Sequence, residues 1–576
     1  MLKKLVISQW ALVIVIIIIA SFLRLYNITE LPPGLYPDEA MNGNNALEAL
    51  SNTNFSAEGG SAFGGKWFYP ENNGREGLFI NIQAISVAIF GNVPWALRSV
   101  SAIFGILTVL GIYFLVKELI NYVSAPLETP PLNETPIRER LGLLTGSTEI
   151  NEKLRNNIAL LSSFFLATSF WHINFSRIGF RAIMAPFFII FALYFLFRSF
   201  NKNYSLGSGI LAGLFFGLGF HSYIAFRGLP ILILIVFIID WFKNPLRRDS
   251  LIKIFIWFVI ISLIVFAPLG YHFIKNPQDF MGRTTQVSIF SSPTPIKDLT
   301  INILKTAGMF NFSGDYNWRH NYAGKPELFW PVGILFVIGI LLGLRMFFEK
   351  VSRRLSGHGV PTLVGTSEAE SQAANERLGE RDRVFREEYS QVYIILFAWI
   401  AIAALPVVVS NEGIPHALRA IIMIPPIFIL AGIGGIWLYE FIKSRLNRET
   451  NAKPYAKLTR KILLVVSGYT LMAILIFEAY IAYFILWGKN QNVQGAFSAD
   501  YIQIGRELNS LPKEIPKYVV VEAGGANVRG LPMPTQTVMF ITDTFTPEKQ
   551  KEKNIFYILP EQKNKIPGNG YKIILR

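Results

Sequence analysis

The sequence predicts an all-α polytopic membrane protein with about eleven transmembrane helices, followed by a small α/β domain. Three observations lead to this prediction. Hydrophobic residues make up 52% of the 576 residues and charged residues only 16%, whereas an ordinary soluble domain carries about 25% charged residues. The apolar residues are gathered in long runs, such as residues 12–20 and 254–267. Lysine and arginine are concentrated between alternate runs, which is typical of loops on the cytoplasmic side.

The apolar runs predict the individual spans, because several of them approach the roughly 20 residues that cross a bilayer as a helix. Backbone groups in lipid must pair within their own segment, so we expect each run to be helical. No small-residue cleavage site follows the first run, which we therefore expect to be a retained helix. The predicted spans are residues 5–25, 96–117, 157–173, 182–200, 206–224, 228–242, 252–270, 329–347, 391–409, 418–441 and 461–487.

The basic residues predict the orientation of the chain. With Lys3 and Lys4 on the inside, the later basic clusters fall in cytoplasmic loops. These clusters contain Lys153, Arg155, Arg198, Lys202, Lys243, Arg247, Arg248, Lys350, Arg353, Arg354, Lys443, Arg445, Arg448, Arg460 and Lys461. The first outer loop, residues 26–95, begins with seven acidic and two basic residues over 26–76. We therefore expect a multi-pass protein of the cell membrane with a cytoplasmic amino terminus.

Four further segments complete the predicted organisation. The apolar stretch 77–90 has fourteen residues, too few to span a bilayer, so we expect it to lie along the outer face. Residues 121–156 and 351–390 are polar and are predicted to be poorly ordered cytoplasmic insertions. The transmembrane domain is predicted to end at residue 488. Residues 489–576 form the predicted outer α/β domain, with a helix near 501–511 and strands at 518–521, 538–541, 555–559 and 573–575.

Composition and missing motifs exclude several classes of function. The net charge of +15 would suggest nucleic acid as a partner of a soluble protein, but here membrane orientation explains it better. The chain has no cysteine, which excludes disulfides, thiolate catalysis and cysteine-ligated metals. It also has no P-loop, dinucleotide fingerprint or zinc-protease motif, and no convincing Ser/His/Asp triad.

Two adjacent carboxylates, Asp38 and Glu39, follow the first span in the sequence LPPGLYPDEA. A carboxylate near the membrane surface can take a proton from an attacking hydroxyl group. The structural alternative is a solvated acidic pair after Pro37, where the helix dipole favours negative charge.

Polar clusters recur at the outer ends of other segments. A guanidinium binds phosphate oxygens in a bidentate manner, and ionisable residues at membrane depth are rare and usually functional. The structural alternatives are interfacial anchors, snorkelling arginines and ordinary hydrogen-bonded histidines. Several such clusters on one side of the membrane predict a positively charged pocket beside an acidic base. They contain Arg75, Glu76, Arg177, Arg181, His221, Tyr223, Arg227, His416 and Arg419.

The long outer loop 271–328 adds aromatic and polar side chains. Such a mixture suits sugar binding, and it equally suits an aromatic belt at the membrane interface. The residues concerned are Arg283, Lys305, Asp315, Tyr316, Trp318, Arg319 and His320.

The order of these features resembles the membrane-embedded glycosyltransferases of the GT-C type. The resemblance is to the family-39 group, which contains the protein O-mannosyltransferases and the lipid A aminoarabinose transferases. It rests on five motifs and covers residues 1–270, with a looser match over 390–440. The motifs are Tyr36-Pro-Asp38-Glu39-Ala, Gly74-Arg75-Glu76-Gly-Leu, Trp95-Ala-Leu-Arg98-Ser, Ser176-Arg177 and Pro415-His416-Ala-Leu-Arg419.

The resemblance implies a GT-C-like catalytic domain that transfers a sugar, with inversion, from a polyprenyl-phosphate donor. The acceptor would be a hydroxyl group on a lipid, glycan or protein. Asp38, with Glu39 beside it, matches the position of the family's catalytic base. The donor phosphate would be bound by Arg177, Arg181, Arg227 and Arg419. Substrate binding would involve Arg75, Glu76, His221, Tyr223 and His416.

The sequence also departs from some members of this group. Certain relatives carry a second acid between the third and fourth spans, where it helps to hold a metal, but residues 177–186 contain none. No metal ligand is therefore predicted, although a divalent cation stays open as a cofactor. The signature of oligosaccharyltransferases is missing, which argues against transfer to asparagine.

Two other functions are compatible with a multi-pass protein. A transporter or flippase for a lipid or glycan would show two halves with matching broken helices, and no such symmetry is evident. A scaffold with an outer binding domain would leave the outer arginine and histidine clusters unexplained.

Overall fold

The structure is a computed structural model that describes residues 8–51, 64–124, 143–280, 289–355, 390–448 and 454–576. It is built mainly of helices. In the first half these are α1 (Gln9–Leu25), α2 (Pro37–Ser51), α3 (Gly77–Phe90), α4 (Pro94–Ser124), α5 (Leu143–Thr168), α6 (Phe170–Ser176), α7 (Met184–Asn201), α8 (Leu206–Gly219), α9 (Pro230–Lys243) and α10 (Arg248–Lys275).

The second half contains fewer long helices and ends in several short ones. They are α11 (Pro295–Gly308), α12 (Trp330–Leu355), α13 (Ser390–Val408), α14 (Ile424–Arg448), α15 (Pro454–Tyr480, extended by a π-helix over Ile481–Trp487), α16 (Gln491–Ala496), α17 (Ala499–Ser510), α18 (Thr535–Thr542) and α19 (Pro547–Lys553).

Each predicted span coincides, over its larger part, with one of these helices. Within the described part of the chain, eight helices are long and apolar enough to cross a membrane. Residues 152–168 and 170–176 form a ninth candidate, bent by 62°, where the Ser169 hydroxyl group accepts a hydrogen bond from the backbone N–H of His172 and starts α6. Helices α1 and α8 are shorter. The chain is a mostly helical, multi-pass membrane protein, while the count of eleven spans stays a prediction.

The spans pack closely where small residues face a neighbouring helix. Helix α8 packs along α10 and α7, and α14 packs along α12 and α5. A Cβ atom at Gly213 would lie 2.6 Å from the carbonyl oxygen of Phe258, and one at Gly434 would clash with the carbonyl oxygen of Leu335. Close backbone approach of this kind is typical of helix pairs in membranes.

The segment after the last span folds around a small parallel sheet. Its strands are β3 (Lys517–Val521), β6 (Ile555–Ile558) and β7 (Tyr571–Leu575), with β3 in the middle and parallel to both neighbours. Four two-residue strands form two antiparallel pairs elsewhere: β1 (Phe68–Tyr69) with β2 (Arg75–Glu76), and β4 (Asn527–Val528) with β5 (Leu531–Pro532). Met41 of α2 belongs to the same apolar core as the central strand.

Two sequence predictions about local structure are wrong. Residues 538–541, predicted as a strand, lie inside helix α18, because Val538, Met539 and Phe540 are buried together with neighbouring helices. The predicted insertions are also narrower than expected, since residues 121–124, 143–156 and 351–355 are helical. Residues 125–142 and 356–389 lie outside the described residues.

Candidate functional site

One polar cavity lies where five loops meet. It contains about 970 Å³ of empty volume, part of it open to solvent. Every loop that contributes belongs to the side that the sequence predicts to be the outer face. The cavity is lined by Tyr36, Asp38, Asn42, Asn72, Asn73, Arg75, Phe180, Arg181, Ala182, Tyr223, Asn317, Arg319, His320, Glu412, His416, Leu418 and Arg419.

Asp38 lies in the first turn of α2 and is half-buried at the wall of the cavity. The side-chain amide of Asn72 donates a hydrogen bond of 2.9 Å to its Oδ1 atom. Asn72 stands in a turn in which three consecutive residues have positive φ angles, +52° at Asn72, +64° at Asn73 and +78° at Gly74. Asparagine and glycine tolerate this conformation best, so the sequence of the turn allows it to present Asn72 to Asp38.

Glu39 lies behind the cavity and does not line it. Its side chain is fully buried, and its Oε2 atom accepts hydrogen bonds from Arg98 Nε at 3.0 Å and from the backbone N–H of Gly179 at 2.7 Å. Arg98 also donates to the carbonyl oxygens of Pro32 and Gly34. The geometry does not support the predicted catalytic role of Glu39, because this carboxylate joins α2, α4 and the loop before α7.

Arg75 reaches the cavity from β2 and is held by α2. Its guanidinium donates to the Oδ1 atoms of Asn42 at 2.7 Å and Asn45 at 2.6 Å. Burial, and to a smaller extent the charge of Arg181, lowers the pKa of Arg75 to about 10. The side chain is therefore still positively charged at neutral pH.

Glu76 joins two of the predicted phosphate-binding arginines. Its Oε2 atom accepts a hydrogen bond of 2.6 Å from Arg181 Nε, and its Oε1 atom lies 3.8 Å from Arg227. Arg181 faces the cavity beside Tyr223, whereas Arg227 lies against the rings of Phe273 and Phe280 and is not part of the lining. Glu76 is 2% exposed and therefore acts here as a buried counter-ion.

Two other predicted site residues lie away from the cavity. Arg177 is fully buried, with its guanidinium 5.2 Å from the ring centroid of Tyr483 and 2.9 Å from the carbonyl oxygen of Leu31. His221 is also buried, and its Nε2 atom lies 2.9 Å from the carbonyl oxygen of Val265. Both side chains contact other parts of the protein, and neither lines the cavity.

The opposite wall is formed by the loops before α12 and before α14. Arg419 donates to the Ser410 hydroxyl group and, at 3.1 Å, to the carbonyl oxygen of Glu412. Arg319, which the sequence does not single out from its loop, places its guanidinium 3.8 Å from the ring centroid of Tyr36. Arg181, Arg319 and Arg419 thus line the same cavity as Asp38.

A carboxylate and two imidazoles meet beside this wall. Asp315 Oδ2 lies 3.0 Å from His320 Nδ1 and 3.8 Å from His416 Nδ1. Burial alone would raise the pKa of Asp315, but the hydrogen bond and charge of His320 lower it below its usual value. Burial also lowers the pKa of His320.

The residues that sequence reasoning missed are polar but uncharged, or belong to a long loop. Asn72 carries only a turn signal, Asn-Asn-Gly, which says nothing about its contact with Asp38. Asn317 lies in the loop 271–328, where the sequence analysis names its neighbour Arg319 only as one of several residues that suit sugar binding or an interfacial belt.

The comparison with protein families agrees with the resemblance found in the sequence. Residues 149–272 match a family model described as dolichyl-phosphate-mannose-protein mannosyltransferase, which confirms the similarity to membrane-embedded glycosyltransferases. A search of curated protein sequences gives no match.

Three solved structures match this chain at low sequence identity and with TM-scores below 0.5. ArnT from Cupriavidus metallidurans bound to undecaprenyl phosphate is 13% identical, with a TM-score of 0.45 over 93% of this chain and 85% of that chain. The oligosaccharyltransferase AglB from Archaeoglobus fulgidus is 12% identical, with a TM-score of 0.48 over 97% of this chain and 66% of that chain. The Pmt1-Pmt2 O-mannosyltransferase complex from S. cerevisiae is 16% identical, with a TM-score of 0.33 over 48% of this chain and 35% of that chain.

Proposed function

We propose that this chain is a glycosyltransferase that moves a sugar from a polyprenyl-phosphate donor to an acceptor hydroxyl group with inversion at the anomeric carbon. The observation that carries the proposal is that Asp38 lines the same cavity as the guanidinium groups of Arg181, Arg319 and Arg419. The family match over residues 149–272 supports the same chemistry. The acceptor is a lipid, a glycan or a protein.

Asp38 is the proposed general base. The acceptor oxygen attacks the anomeric carbon, the bond from that carbon to the phosphate oxygen breaks, and Asp38 takes the acceptor's proton. The amide of Asn72 holds Oδ1 at 2.9 Å and so fixes the orientation of the carboxylate. General-base catalysis of this kind contributes about 10²- to 10⁴-fold to the rate.

The arginines are the proposed partners of the departing lipid phosphate. Its negative charge grows as the sugar leaves, and guanidinium groups already in place stabilise that charge without reorganisation. Arg181 is held by Glu76, and Arg419 by Ser410 and Glu412, so both are positioned before the substrate binds. We infer that Arg177 and Arg227 support the fold around the phosphate site.

The proposed reaction takes place at the outer face of the membrane, with the amino terminus in the cytoplasm. All loops around the cavity alternate with the lysine- and arginine-rich loops, as the positive-inside pattern requires. Residues 489–576 are proposed to be a small outer α/β domain. Its helix α18 contacts α2, through Gln536 and Asn44 among others, so it lies at the same face as Asp38.

The experiment is a transfer assay with purified full-length chain and radiolabelled dolichyl phosphate mannose as the probe donor. We expect the natural chain to release or transfer the label, and this activity to fall by about 10²- to 10⁴-fold in Asp38→Asn. Donor binding, measured by filtration with the same probe, should be largely retained in this variant. Asp500→Asn, an exposed carboxylate in the first turn of α17, is the matched control and should be fully active.

Two outcomes would contradict the proposal. Full transfer by Asp38→Asn would remove this carboxylate from the reaction. Binding of the donor by the natural chain without hydrolysis or transfer, tested also with undecaprenyl-phosphate sugars, would favour a carrier or flippase.

A further inference from the structure

Three side chains from two loops bring potential metal-ligand atoms together at the edge of the cavity. Asp315 and His320 belong to the loop between α11 and α12, and His416 to the loop between α13 and α14. Their ligand atoms all lie within 4.8 Å of one another. The imidazoles of His320 and His416 are stacked, with ring centroids 4.9 Å apart and an angle of 30°.

The carboxylate of this group is fixed in place by backbone donors. The N–H of Asn317 donates to Asp315 Oδ1 at 2.8 Å, and the N–H of Ala417 donates to Oδ2 at 2.9 Å. Metal-binding carboxylates are commonly held by such outer hydrogen bonds. One of the two donors comes from each loop, so the carboxylate already stands at their junction.

We propose that Asp315, His320 and His416 bind a zinc ion that clasps the two loops together. Imidazole nitrogen and carboxylate oxygen are suitable ligands for zinc, and three protein ligands leave a fourth position open. Both histidines line the cavity, so the open position faces it. The ion would fix the loops that carry Arg319 and Arg419.

An ordinary Asp–His hydrogen bond accounts for only part of this arrangement. It explains the 3.0 Å contact between Asp315 and His320. The second imidazole, His416, accepts a hydrogen bond of 3.5 Å from the backbone N–H of Arg419 and also places its Nδ1 atom 3.8 Å from the same carboxylate oxygen. His272 and Asp279 form a simple pair of this kind, with Nε2 and Oδ2 2.8 Å apart. Within the described part of the chain this pair has no third ligand, which makes it a matched control.

The test is the metal content of the full-length chain, purified through a tag without histidine and loaded with zinc alone. We expect about one zinc ion per chain, by inductively coupled plasma mass spectrometry, in the natural chain and in His272→Ala. His416→Gln and Asp315→Asn should retain at least tenfold less. X-ray absorption of the loaded natural chain should show two imidazole ligands, a readout that does not depend on any variant folding.

Removal of the ion gives a second measurement. A chelator should lower the thermal unfolding midpoint of the natural chain and of His272→Ala, and should leave that of His416→Gln unchanged. A natural chain without stoichiometric zinc, or equal zinc in His416→Gln, would overturn the proposal. Because metal content is measured without substrate, this result is independent of the proposed sugar transfer.

Discussion

The two ends of the helix bundle differ in how far their polar side chains are hydrogen-bonded to other parts of the protein. At the end predicted to be cytoplasmic, Asp240 is fully buried and accepts hydrogen bonds from Tyr122 at 3.0 Å, Tyr204 at 2.7 Å and Asn244 at 2.7 Å. At the other end, within the part of the chain that the structure describes, Asp38 accepts one side-chain hydrogen bond, from Asn72, and lines the cavity. Helix α9 separates the two ends by about 20 Å, at about 1.5 Å per residue.

This contrast separates structural polar groups from functional ones. Where donors and acceptors satisfy each other completely, the network can only hold helices together. Where a carboxylate and several guanidiniums are each held from behind but face an empty volume, the arrangement leaves capacity for a ligand. Changes in a network whose groups are all paired should therefore reduce stability, and changes in the lining of the cavity should reduce activity.

The largest expected effect is on stability and concerns Glu39, which lies behind the cavity, where its carboxylate is fully buried and paired with Arg98. Glu39→Gln would leave the charge of Arg98 buried without its counter-ion, which typically costs about 3–5 kcal/mol. We expect the free energy of unfolding in detergent to fall by this amount. Glu440→Gln, in a half-exposed pair with Lys443, is the control and should cost less than about 1 kcal/mol. A small loss in Glu39→Gln would show that this buried pair does not hold the loops together.

Substitutions at the end predicted to be cytoplasmic, around Asp240, should change the free energy of unfolding and leave transfer activity unchanged. Tyr204→Phe removes a hydrogen bond to the carboxylate of Asp240, and such bonds to charged groups contribute about 1.5–3 kcal/mol. We expect the free energy of unfolding to fall by about that much, with transfer activity unchanged. Tyr455→Phe, whose ring is 83% exposed, should change neither. Loss of activity without loss of stability in Tyr204→Phe would contradict the separation of the two ends.

Substitution of an arginine that lines the cavity should weaken binding of the lipid-linked donor. Arg319→Gln removes a cation that faces the proposed phosphate site, and we expect KM for the lipid-linked donor to rise about tenfold, equivalent to about 1.4 kcal/mol. Steady-state kinetics with and without added salt measures this. Arg506→Gln, an exposed arginine on α17, should leave KM unchanged, and an equal rise in both variants would point to a general effect of net charge.

The smallest expected effect concerns the contact between the carboxyl-terminal segment and the first loop. Arg529 pairs with Glu48 at 2.9 Å and Glu71 at 2.7 Å, and Glu71 directly precedes Asn72. The arginine side chain is 37% exposed, so Arg529→Ala should cost less than about 1 kcal/mol, and less still at high salt. Chemical unfolding at two salt concentrations tests this, with the more exposed Arg576→Ala as the control.

The sequence predicts the long apolar helices well because the bilayer imposes a strong and local requirement. A long apolar run must form its hydrogen bonds within itself, so its helical state can be read without knowing its neighbours. Residues 538–541 show the opposite case. Four apolar residues suit a buried strand or a buried helix equally, and packing against α2 and α17 decides for the helix.

The site could be predicted only in part, because a sequence shows which residues are polar and not which partners they find. Asp38 and Glu39 are neighbours of the same charge, yet one lines the cavity and the other is paired with Arg98. Nor does any short motif join Asp315 to His416, which lie about a hundred residues apart in the sequence. The candidate zinc ligands are brought together by tertiary structure alone.

The contacts of helix α18 with the first outer loop affect the stage of synthesis at which the site can form. Gln536 bonds to Asn44, Thr537 bonds to the carbonyl oxygen of Leu35, and Asn92 bonds to the carbonyl oxygen of Phe540. The segments that position Asp38 are thus completed by residues that are translated after all of the predicted spans. In a nascent chain stopped before residue 535 the predicted spans would already be complete, but we expect no catalytic activity until helix α18 has been translated.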